Sequence, residues 1–250
     1  MSLRVKIKVP KYNIPEKKVA PVMLPVDSLL PHEEIVTERL NDLVKYLKSI
    51  EAVDIPIIVA PTSLKGRYLI VDGHHRWAAL KELGARKVPS IIIDYFDPSV
   101  KVYTWYPGVS DHGGVFKESL QNLDLRVGEC PAQVNLMQRL VEGDVAFIIL
   151  DAEGKCLKVG GCIEEQRKIT TLLDKLNREG HILLIWYGLV EDGLADLGSG
   201  EINYLLLRRA VSKVEVMRMA EAGKVFPPKT TRHVLPYIPA KVYTPLETLY

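Results

Sequence analysis

Apolar positions along the chain follow two alternating patterns. Short runs that are rich in β-branched residues predict strands, and apolar residues spaced three and four apart predict helices with one buried face. The predicted strands cover residues 22–26, 55–60, 69–71, 88–95, 100–105, 145–150, 181–187 and 203–208. The predicted helices cover residues 35–50, 74–84, 132–141, 163–178 and 213–222. This alternation indicates a mixed α/β or α+β protein.

The chain changes character near residue 107. Residues 1–20 are basic and interrupted by prolines, which predicts an arm or an edge strand. Residues 108–114 are rich in glycine and polar residues, which is typical of a linker or an ordered crossing loop. We therefore expect a first domain over residues 1–107 and a second, α/β domain over residues 108–250.

The junction after the strand at Leu69–Val71 carries the clearest chemical signal. Asp72 and Gly73 form a turn, and a helical pattern follows at once and ends at Gly84. The first amides of a helix have no partner within it, and its dipole favours an anion there. The same turn adds three side-chain donors, which are His74, His75 and Arg76. This pattern indicates a phosphate-binding loop with Asp72 as a metal ligand, although such a junction is often only a connection.

A second candidate lies before the first long helix, where Pro31 is followed by His32, Glu33 and Glu34. A carboxylate at this place is commonly a helix N-terminal residue that the dipole stabilises, and Glu34 fits that interpretation. Glu33 fits equally well as a general base that points into a cleft, with His32 beside it.

Two further segments hold candidate binding residues. Trp105 lies among aromatic residues at a strand end, where it fits either a core position or the wall of a ligand pocket. Between Pro228 and Pro236 the chain concentrates donors, which are Lys229, Thr230, Thr231, Arg232 and His233. This segment fits a surface loop or a site that recognises an acidic group. The pair Gly160-Gly161 is a weaker anion-loop candidate, and we interpret it mainly as a turn.

Composition narrows the possible functions. The 250 residues include 33 basic and 31 acidic ones, a net charge of +2, which argues against a strongly electrostatic nucleic-acid binder. No apolar run has membrane-spanning length, and the first residues lack the apolar core of a signal peptide. The cysteines, Cys130, Cys156 and Cys162, form no C-x-x-C pair. Cys156 and Cys162 are near enough to meet, but buried or incidental thiols in a reduced cytoplasm are the favoured interpretation.

The first hundred residues resemble the ParB/sulfiredoxin-like superfamily. The resemblance is carried by residues 25–31, 56–59, 69–84 and 88–91. Its G-x-x-R-x-x-A element begins at Gly73 with Arg76 as the arginine, and this element is the superfamily's nucleotide-phosphate site. Sulfiredoxins carry their catalytic cysteine within this loop, where the present sequence has His74, so the resemblance argues against sulfiredoxin chemistry.

The whole chain more closely resembles the free L-serine kinases of this superfamily, including the ADP-dependent type. The matching segments are residues 31–33, 71–78, 100–107, 160–166 and 228–236. The resemblance implies an α+β fold, with a ParB/sulfiredoxin-like N-terminal domain, a second α/β domain and an active site in the cleft between them. It also implies phosphoryl transfer, with Mg²⁺, from ADP to the hydroxyl of free L-serine, which gives AMP and O-phospho-L-serine. ATP is the alternative donor.

Residue roles follow from the same resemblance. Glu33 is the expected catalytic carboxylate and Asp72 a second essential acid near the metal, and which of them is the base stays open. The expected phosphate ligands are Gly73, His74, His75 and Arg76. The expected serine pocket comprises Trp105, Lys229, Thr230, Thr231, Arg232 and His233.

The expected partners are L-serine and an adenine nucleotide, without nucleic acid or membrane. We expect a cytoplasmic monomer or small homo-oligomer that serves cysteine or serine metabolism. The alternative function is that of a ParB-like nucleotide-binding switch, or a nuclease, that acts with DNA.

Overall fold

A computed structural model describes residues 6–111, 113–130, 140 and 144–250 of the chain. The chain divides into two compact units. The first unit comprises residues 12–102 and 211–250, and the second comprises residues 1–11 and 103–210. Each unit is therefore built from two separate parts of the sequence.

The first unit is built around a five-stranded sheet. Its strands, in spatial order, are Val22–Pro25, Lys87–Ile92, Ile57–Pro61, Tyr68–Asp72 and Leu29–Leu30. The helices of this unit are Thr37–Ile50, His74–Glu82 and Lys213–Glu221, with short 3₁₀ turns at Val26–Ser28 and Leu246–Leu249. Leu47, Ile70 and Leu80 are fully buried in one cluster, so the first two helices cover the sheet with their apolar faces.

The C-terminal part of the chain completes this first unit through short strand pairs. Arg232–Val234 pairs with Lys101–Tyr103, Ile238–Pro239 with Glu16–Lys17, and Thr244–Pro245 with Ala52–Val53. The backbone amide of Arg86 also donates to the carbonyl of Leu249 at 2.7 Å. The division therefore differs from the expected single boundary after residue 107, because backbone pairing returns residues 211–250 to the N-terminal half.

The second unit is built around a seven-stranded sheet. Its order is Lys6–Lys8, Leu183–Tyr187, Tyr106–Ser110, Tyr204–Leu207, Val145–Asp151, Cys156–Gly160 and Arg126–Glu129. Its described helices are Val115–Gln121, Ile163–Arg178 and Val190–Ser199. Lys6–Lys8 is an edge strand, as the basic N-terminal segment predicted, and it pairs in parallel with Leu183–Tyr187.

Both faces of this sheet are buried. Along Leu183–Tyr187, Leu184 and Trp186 belong to one apolar cluster, and Ile185 and Tyr187 belong to another. Successive side chains of a strand point to opposite faces, so burial of both faces explains the unbroken apolar runs of this half.

The first part of the segment predicted as a linker or an ordered crossing loop, residues 108–110, lies instead in an inner strand. Tyr106–Ser110 pairs with Leu183–Tyr187 on one side and with Tyr204–Leu207 on the other. This strand has a glycine at position 108 because the Tyr187 ring packs over it. A Cβ at Gly108 would lie 2.5 Å from Tyr187 Cε2. The glycine that suggested a linker therefore makes room for an aromatic ring.

The remaining predicted elements agree in type with the structure, with shifts at their ends. The helix predicted at residues 163–178 has these bounds, whereas the strand predicted at residues 88–95 ends at Ile92. The strands Arg126–Glu129 and Cys156–Gly160 and the helices Val115–Gln121 and Val190–Ser199 were not predicted. The predicted helix at residues 132–141 falls almost wholly outside the described residues. No described helix is long and apolar enough to cross a membrane.

The expectation of unpaired thiols was wrong for two of the three cysteines. Cys130 and Cys156 form a disulfide with a Cα–Cα distance of 5.3 Å, and Cys162 is free and exposed. Glu129 is paired with Leu157 on adjacent antiparallel strands, and this register brings the two cysteines together. The short sequence spacing between Cys156 and Cys162 carries no information about this strand pairing.

We expect the double substitution Cys130→Ser/Cys156→Ser to lower the free energy of unfolding by about 2–4 kcal/mol. The disulfide closes a loop with a sequence separation of 26 and thereby limits the conformations of the unfolded chain. Calorimetry of the parent and the variant measures the effect as a lower melting temperature. Cys162→Ser is the matched control, because Ser is a good N-cap for the helix Ile163–Arg178 and is expected to keep or slightly raise stability. Equal melting temperatures for all three proteins would show that the disulfide contributes nothing.

Candidate active site

The predicted phosphate loop is a glycine turn between a strand and the start of a helix. The strand Tyr68–Asp72 ends at Gly73, which has a φ of 101° and precedes the helix His74–Glu82. A Cβ at Gly73 would lie 3.0 Å from Arg76 Nη2 and 3.2 Å from Ile57 Cγ1. Both the left-handed φ and the crowding favour glycine. The amides of the first helical turn therefore follow directly on a close backbone turn.

Arg76 folds back over this turn. Its Nη2 donates to Asp72 Oδ2 at 2.6 Å, and its Nη1 donates to the carbonyl of Ile55 at 3.1 Å. The Arg76 side chain is 15% exposed, whereas the Asp72 side chain is 58% exposed. Arg76 thus holds the loop in place, and the Asp72 carboxylate is accessible to a ligand.

His74 and His75 turn inward, towards the segment that carries Glu33. The amide of His32 donates to His74 Nε2 at 3.2 Å, and the amide of Val36 donates to His75 Nε2 at 3.1 Å. The expectation of two cationic side-chain donors therefore differs from the structure, where both rings accept hydrogen bonds from the backbone. The groups of these residues that remain candidates for anion binding are their own backbone amides at the start of the helix.

Burial keeps both rings neutral. Burial, and then the positive charges of Arg39 and Lys229, lower the pKa of His75 to about 4. Burial, and then His32, hold the pKa of His74 well below its ordinary value. A neutral imidazole leaves one nitrogen free to accept a hydrogen bond, which matches the contacts of both rings.

Glu33 lies beside the C-terminal donor segment. The amide of Phe226 donates to the carbonyl of His32 at 2.8 Å, and the amide of Glu34 donates to the carbonyl of Phe226 at 3.0 Å. The amide of Thr231 donates to Glu33 Oε1, and Thr231 Oγ1 lies 2.6 Å from the same oxygen. The backbone amide and the side-chain hydroxyl of Thr231 thus both contact one carboxylate oxygen of Glu33, a residue 198 positions away in the sequence.

The donor segment is not a plain surface loop, because Thr230, Thr231 and Arg232 are buried. Lys229 has a left-handed φ of 64°, and Thr230 Oγ1 donates to the carbonyl of Pro227 at 2.8 Å, so the segment begins with a tight turn. The Arg232 guanidinium lies 5.7 Å from the Tyr12 ring centroid, and its Nη1 donates to Tyr12 Oη at 3.3 Å.

Three histidines and a tyrosine form the interior of this site. The His32 ring centroid lies 4.4 Å from that of His74 and 5.3 Å from that of His233. His233 Nε2 lies 2.9 Å from Tyr95 Oη. Burial, and then His74 and Lys213, lower the pKa of His233 to about 3. The interior is therefore polar but uncharged, as buried imidazoles in contact with one another require.

His32 and Tyr95 were not among the predicted site residues. The only signal for His32 in the sequence was its place between Pro31 and Glu33. Tyr95 lies just beyond the strand Lys87–Ile92 and looks like an ordinary core aromatic. Their role depends on tertiary contacts, which a pattern of apolar positions does not report.

The structure places nearly all of the predicted site residues in the first unit. Glu33, residues 72–76 and residues 229–233 all belong to it, so the donor segment is not part of the second domain as expected. Trp105 belongs to the second unit, where it packs against an apolar cluster and its carbonyl accepts from Arg208 Nε at 3.2 Å. The location of the active site in a cleft between the domains stays a prediction.

The weaker anion-loop candidate is a turn with a capped helix. Gly161 has a φ of 125°, and the amide of Cys162 donates to Glu165 Oε2 at 2.8 Å. The carboxylate of Glu165 thus occupies the start of the helix Ile163–Arg178. This arrangement supports the interpretation as a turn.

Few side chains of the described residues are placed to ligate a metal ion. Among the described residues, no group of three or more His, Cys, Asp or Glu side chains forms a metal-binding cluster. Mg²⁺ commonly binds through one or two carboxylates together with the substrate's phosphates. The exposed carboxylate of Asp72, next to the helix N-terminus, fits that mode of binding.

Comparisons with known proteins agree with this division of the chain. Residues 10–103 match the ParB N-terminal domain family, and residues 104–208 match the C-terminal domain of the L-serine kinase SerK. The protein therefore combines a ParB-type domain with a serine kinase C-terminal domain.

Full-length relatives identify the family. The chain is 48% identical to the ATP-dependent L-serine kinase of Staphylothermus marinus, over 98% of both chains. It is 42% identical to the ADP-dependent L-serine kinase SerK of Thermococcus kodakarensis, over 97% of this chain and 98% of that one. A solved structure of a free serine kinase in complex with AMP matches with a TM-score of 0.92 and 42% identity, over 98% of this chain and 100% of that one. The chain belongs to the L-serine kinase family.

The lowered pKa of His75 predicts a loss of stability in acid. The folded protein resists protonation of this ring until about pH 4, whereas the unfolded chain takes up the proton near pH 6.5. The contribution of the neutral His75 ring to the free energy of unfolding is therefore complete above pH 6.5 and is lost as the pH falls towards 4. We expect His75→Gln, which keeps an acceptor for the Val36 amide, to reduce the slope of unfolding free energy against pH in this window by up to about 1.4 kcal/mol per unit.

Denaturant unfolding at several pH values measures this slope. His181→Gln is the matched control, because His181 is half-exposed and lies outside the histidine cluster. An unchanged slope in the His75 variant would contradict the assignment of a buried neutral ring.

Proposed function

We propose that this protein transfers a phosphoryl group from an adenine nucleotide to the hydroxyl of free L-serine and forms O-phospho-L-serine. The observation that carries the proposal is the position of Glu33, which Thr231 holds in the same unit as the glycine turn at Gly73. Phosphoryl transfer depends on positioning and charge stabilisation, and this unit contains a candidate base and a candidate phosphate site. The names of the full-length relatives support the substrate.

The phosphates of the nucleotide bind at the turn before the helix His74–Glu82. The amides after Gly73 donate to phosphate oxygens, and the helix dipole stabilises their charge. Arg76 keeps the turn in shape through Ile55 and Asp72, and its guanidinium lies beside the turn at Gly73. Asp72 is the residue that would hold Mg²⁺, and the ion would supply positive charge to the phosphates.

Glu33, and not Asp72, is the base in this mechanism. The Asp72 carboxylate is already engaged by the Arg76 guanidinium at 2.6 Å and is the candidate metal ligand. Glu33 lies next to the buried His32 and the buried Thr231, so water has less access to it. Glu33 takes the serine hydroxyl proton while the serine oxygen attacks phosphorus.

The serine pocket uses the donor segment. Arg232 and Lys229 provide positive charge for the serine carboxylate, and Thr230, Thr231 and His233 shape the segment around them. The place of Trp105 in the serine pocket stays a prediction from the sequence resemblance. The ADP expected from the sequence agrees with the name of the relative from Thermococcus kodakarensis, whereas the relative with 48% identity is named ATP-dependent.

The direct test is an assay with L-serine, Mg²⁺ and either ADP or ATP. We expect O-phospho-L-serine, with AMP formed from ADP or ADP formed from ATP, and the more active donor is the physiological one. Omission of Mg²⁺ and addition of a chelator are expected to abolish the product. Absence of phosphoserine with both donors would refute the proposed function.

We expect Glu33→Gln to lower turnover by roughly 10²–10⁴-fold, because glutamine does not accept the serine proton. Nucleotide binding, measured by calorimetry, is expected to stay near that of the parent protein. Glu34→Gln is the control, because Glu34 is the neighbouring carboxylate; it was predicted to be a helix N-terminal residue, but it lies before the helix Thr37–Ile50 and its N-cap Val36. Similar losses in both variants would show that the segment matters only for folding.

We expect Arg232→Ala to raise the KM for serine about tenfold or more, with little change in the KM for the nucleotide. A lost charge-assisted hydrogen bond is worth roughly 1.5–3 kcal/mol, which corresponds to such a change. Tyr12→Phe is the control, since it removes only the oxygen that accepts from Arg232. An unchanged KM for serine in a folded Arg232→Ala protein would remove this residue from the pocket.

A further inference from the structure

Tyr95 lies behind His233 and contacts it through one hydrogen bond. Tyr95 follows the strand Lys87–Ile92 and is 2% exposed, and its Oη lies 2.9 Å from His233 Nε2. The centroids of the two rings are 5.7 Å apart. His233 belongs to the strand Arg232–Val234 and, unlike Tyr95, keeps part of its surface exposed. The tyrosine therefore contacts the imidazole from the interior of the first unit.

The protons of these two rings limit the direction of the hydrogen bond. Burial raises the pKa of Tyr95 above its ordinary value, so the hydroxyl keeps its proton at neutral pH. Burial, and then His74 and Lys213, lower the pKa of His233 to about 3, so its ring is neutral. A neutral imidazole has one N–H donor and one acceptor nitrogen. Either Tyr95 donates to Nε2, or a proton on Nε2 is donated to Tyr95 Oη.

The buried hydroxyl proton of Tyr95 favours the first direction. In the part of the chain that the structure describes, His233 Nε2 is the acceptor within hydrogen-bond distance of Tyr95 Oη. Lys213, whose Nζ lies 5.9 Å from the Tyr95 ring centroid, has only donors. A buried hydroxyl proton without an acceptor is costly. Tyr95 therefore donates, His233 Nε2 accepts, and the ring proton stays on Nδ1.

The neighbouring imidazole does not compete for the nitrogens of His233. The ring of His32 packs edge-on against that of His233, with the centroids 5.3 Å apart. Its Nδ1 lies 2.8 Å from the carbonyl oxygen of Ile70, and its Nε2 lies 2.9 Å from Thr231 Oγ1. Among the described residues, the ring of His233 forms its hydrogen bond with Tyr95 at Nε2, which leaves Nδ1 for a ligand.

His233 lies on the side of the segment that meets the proposed base. Thr231 and His233 are two positions apart in an extended segment, and both contact His32, so their side chains share one side. Thr231 Oγ1 lies 2.6 Å from Glu33 Oε1. A serine whose hydroxyl approaches Glu33 therefore lies on the side to which His233 belongs.

We propose that Tyr95 is a positioning residue for the serine pocket: by donating to His233 Nε2, it keeps the ring proton on Nδ1, which donates to a carboxylate oxygen of serine. This inference rests on the proposed function. The hydrogen bond at one imidazole nitrogen decides which nitrogen carries the proton. The other tautomer would present a lone pair of Nδ1 to the carboxylate, and the two would repel each other.

The tautomer is measured directly in the parent protein. Long-range ¹H–¹⁵N correlation spectra of the ¹⁵N-labelled protein report which ring nitrogen carries the proton, and the signals of His233 are assigned by their absence in His233→Gln. We expect a neutral ring that is protonated at Nδ1 near neutral pH. A ring protonated at Nε2 overturns the inference, because that nitrogen would donate to Tyr95.

The same spectra test the ligand. With Mg²⁺ and the nucleotide product present, we expect L-serine to shift the signal of the Nδ1 proton of His233. Ethanolamine, which lacks the carboxylate, is expected to leave this signal in place. A signal that L-serine leaves unmoved, or that both compounds move alike, overturns the assignment of Nδ1 to the carboxylate.

Tyr95→Phe removes the hydroxyl and keeps the ring. We expect the KM for serine to rise roughly three- to tenfold, because one neutral hydrogen bond is lost and the tautomer of His233 is no longer fixed. The KM for the nucleotide is expected to stay near that of the parent. Tyr243→Phe is the matched control, because Tyr243 is 63% exposed, and we expect it to change neither KM.

A double-mutant cycle separates positioning from a general effect on the fold. In a His233→Gln protein we expect Tyr95→Phe to change the KM for serine by less than about twofold, because the ring that it positions is absent. An equal rise in both backgrounds means that Tyr95 acts only through the fold, and it overturns the inference. If Tyr95→Phe does not fold, the tautomer of the parent protein decides.

The outcomes also separate this inference from the proposed function. A parent protein that forms no phosphoserine contradicts the proposed function, and the inference falls with it. A parent protein that forms phosphoserine, together with an unchanged KM for serine in a folded Tyr95→Phe protein, contradicts only the inference.

Discussion

The candidate site depends on one buried ring. His32 is fully buried, and its two nitrogens contact the strand Tyr68–Asp72 through Ile70 and the C-terminal segment through Thr231. Its own backbone amide contacts His74 at the start of the phosphate loop. A buried polar group without partners is costly, so these contacts have to form together. The position of Glu33, one residue further along, follows from this constraint.

The polar interior explains why histidine, and not a more basic residue, lies beneath the loop. Neutral imidazoles both donate and accept, so His32, His74 and His233 contact one another without a buried net charge. The charged groups, Asp72 and Arg76, lie nearer the surface, where they pair with each other. The structure thus separates the uncharged histidines from the charged pair at the predicted phosphate loop.

The order of the chain has a physical consequence for this site. Residues 211–250 return to the N-terminal half, and the strand Arg232–Val234 pairs with Lys101–Tyr103. The donor segment is therefore held by backbone hydrogen bonds as well as by side chains. Family membership accounts for the shared architecture, and the hydrogen bond between Thr231 and Glu33 is the contact on which the proposed chemistry rests.

The sequence by itself determined the local elements, including the strand, turn and helix of the predicted phosphate loop. An apolar strand, a turn at Asp72-Gly73 and a helix that ends before Gly84 are set by neighbouring residues, so the pattern predicted them. Tertiary structure decided the inner strand at Tyr106–Ser110, the Cys130–Cys156 disulfide and the inward turn of the histidines. It also brought Thr231 to Glu33 across 198 positions. Periodicity reports which face of an element is buried, but the partner on that face is chosen by packing and hydrogen bonding between distant segments.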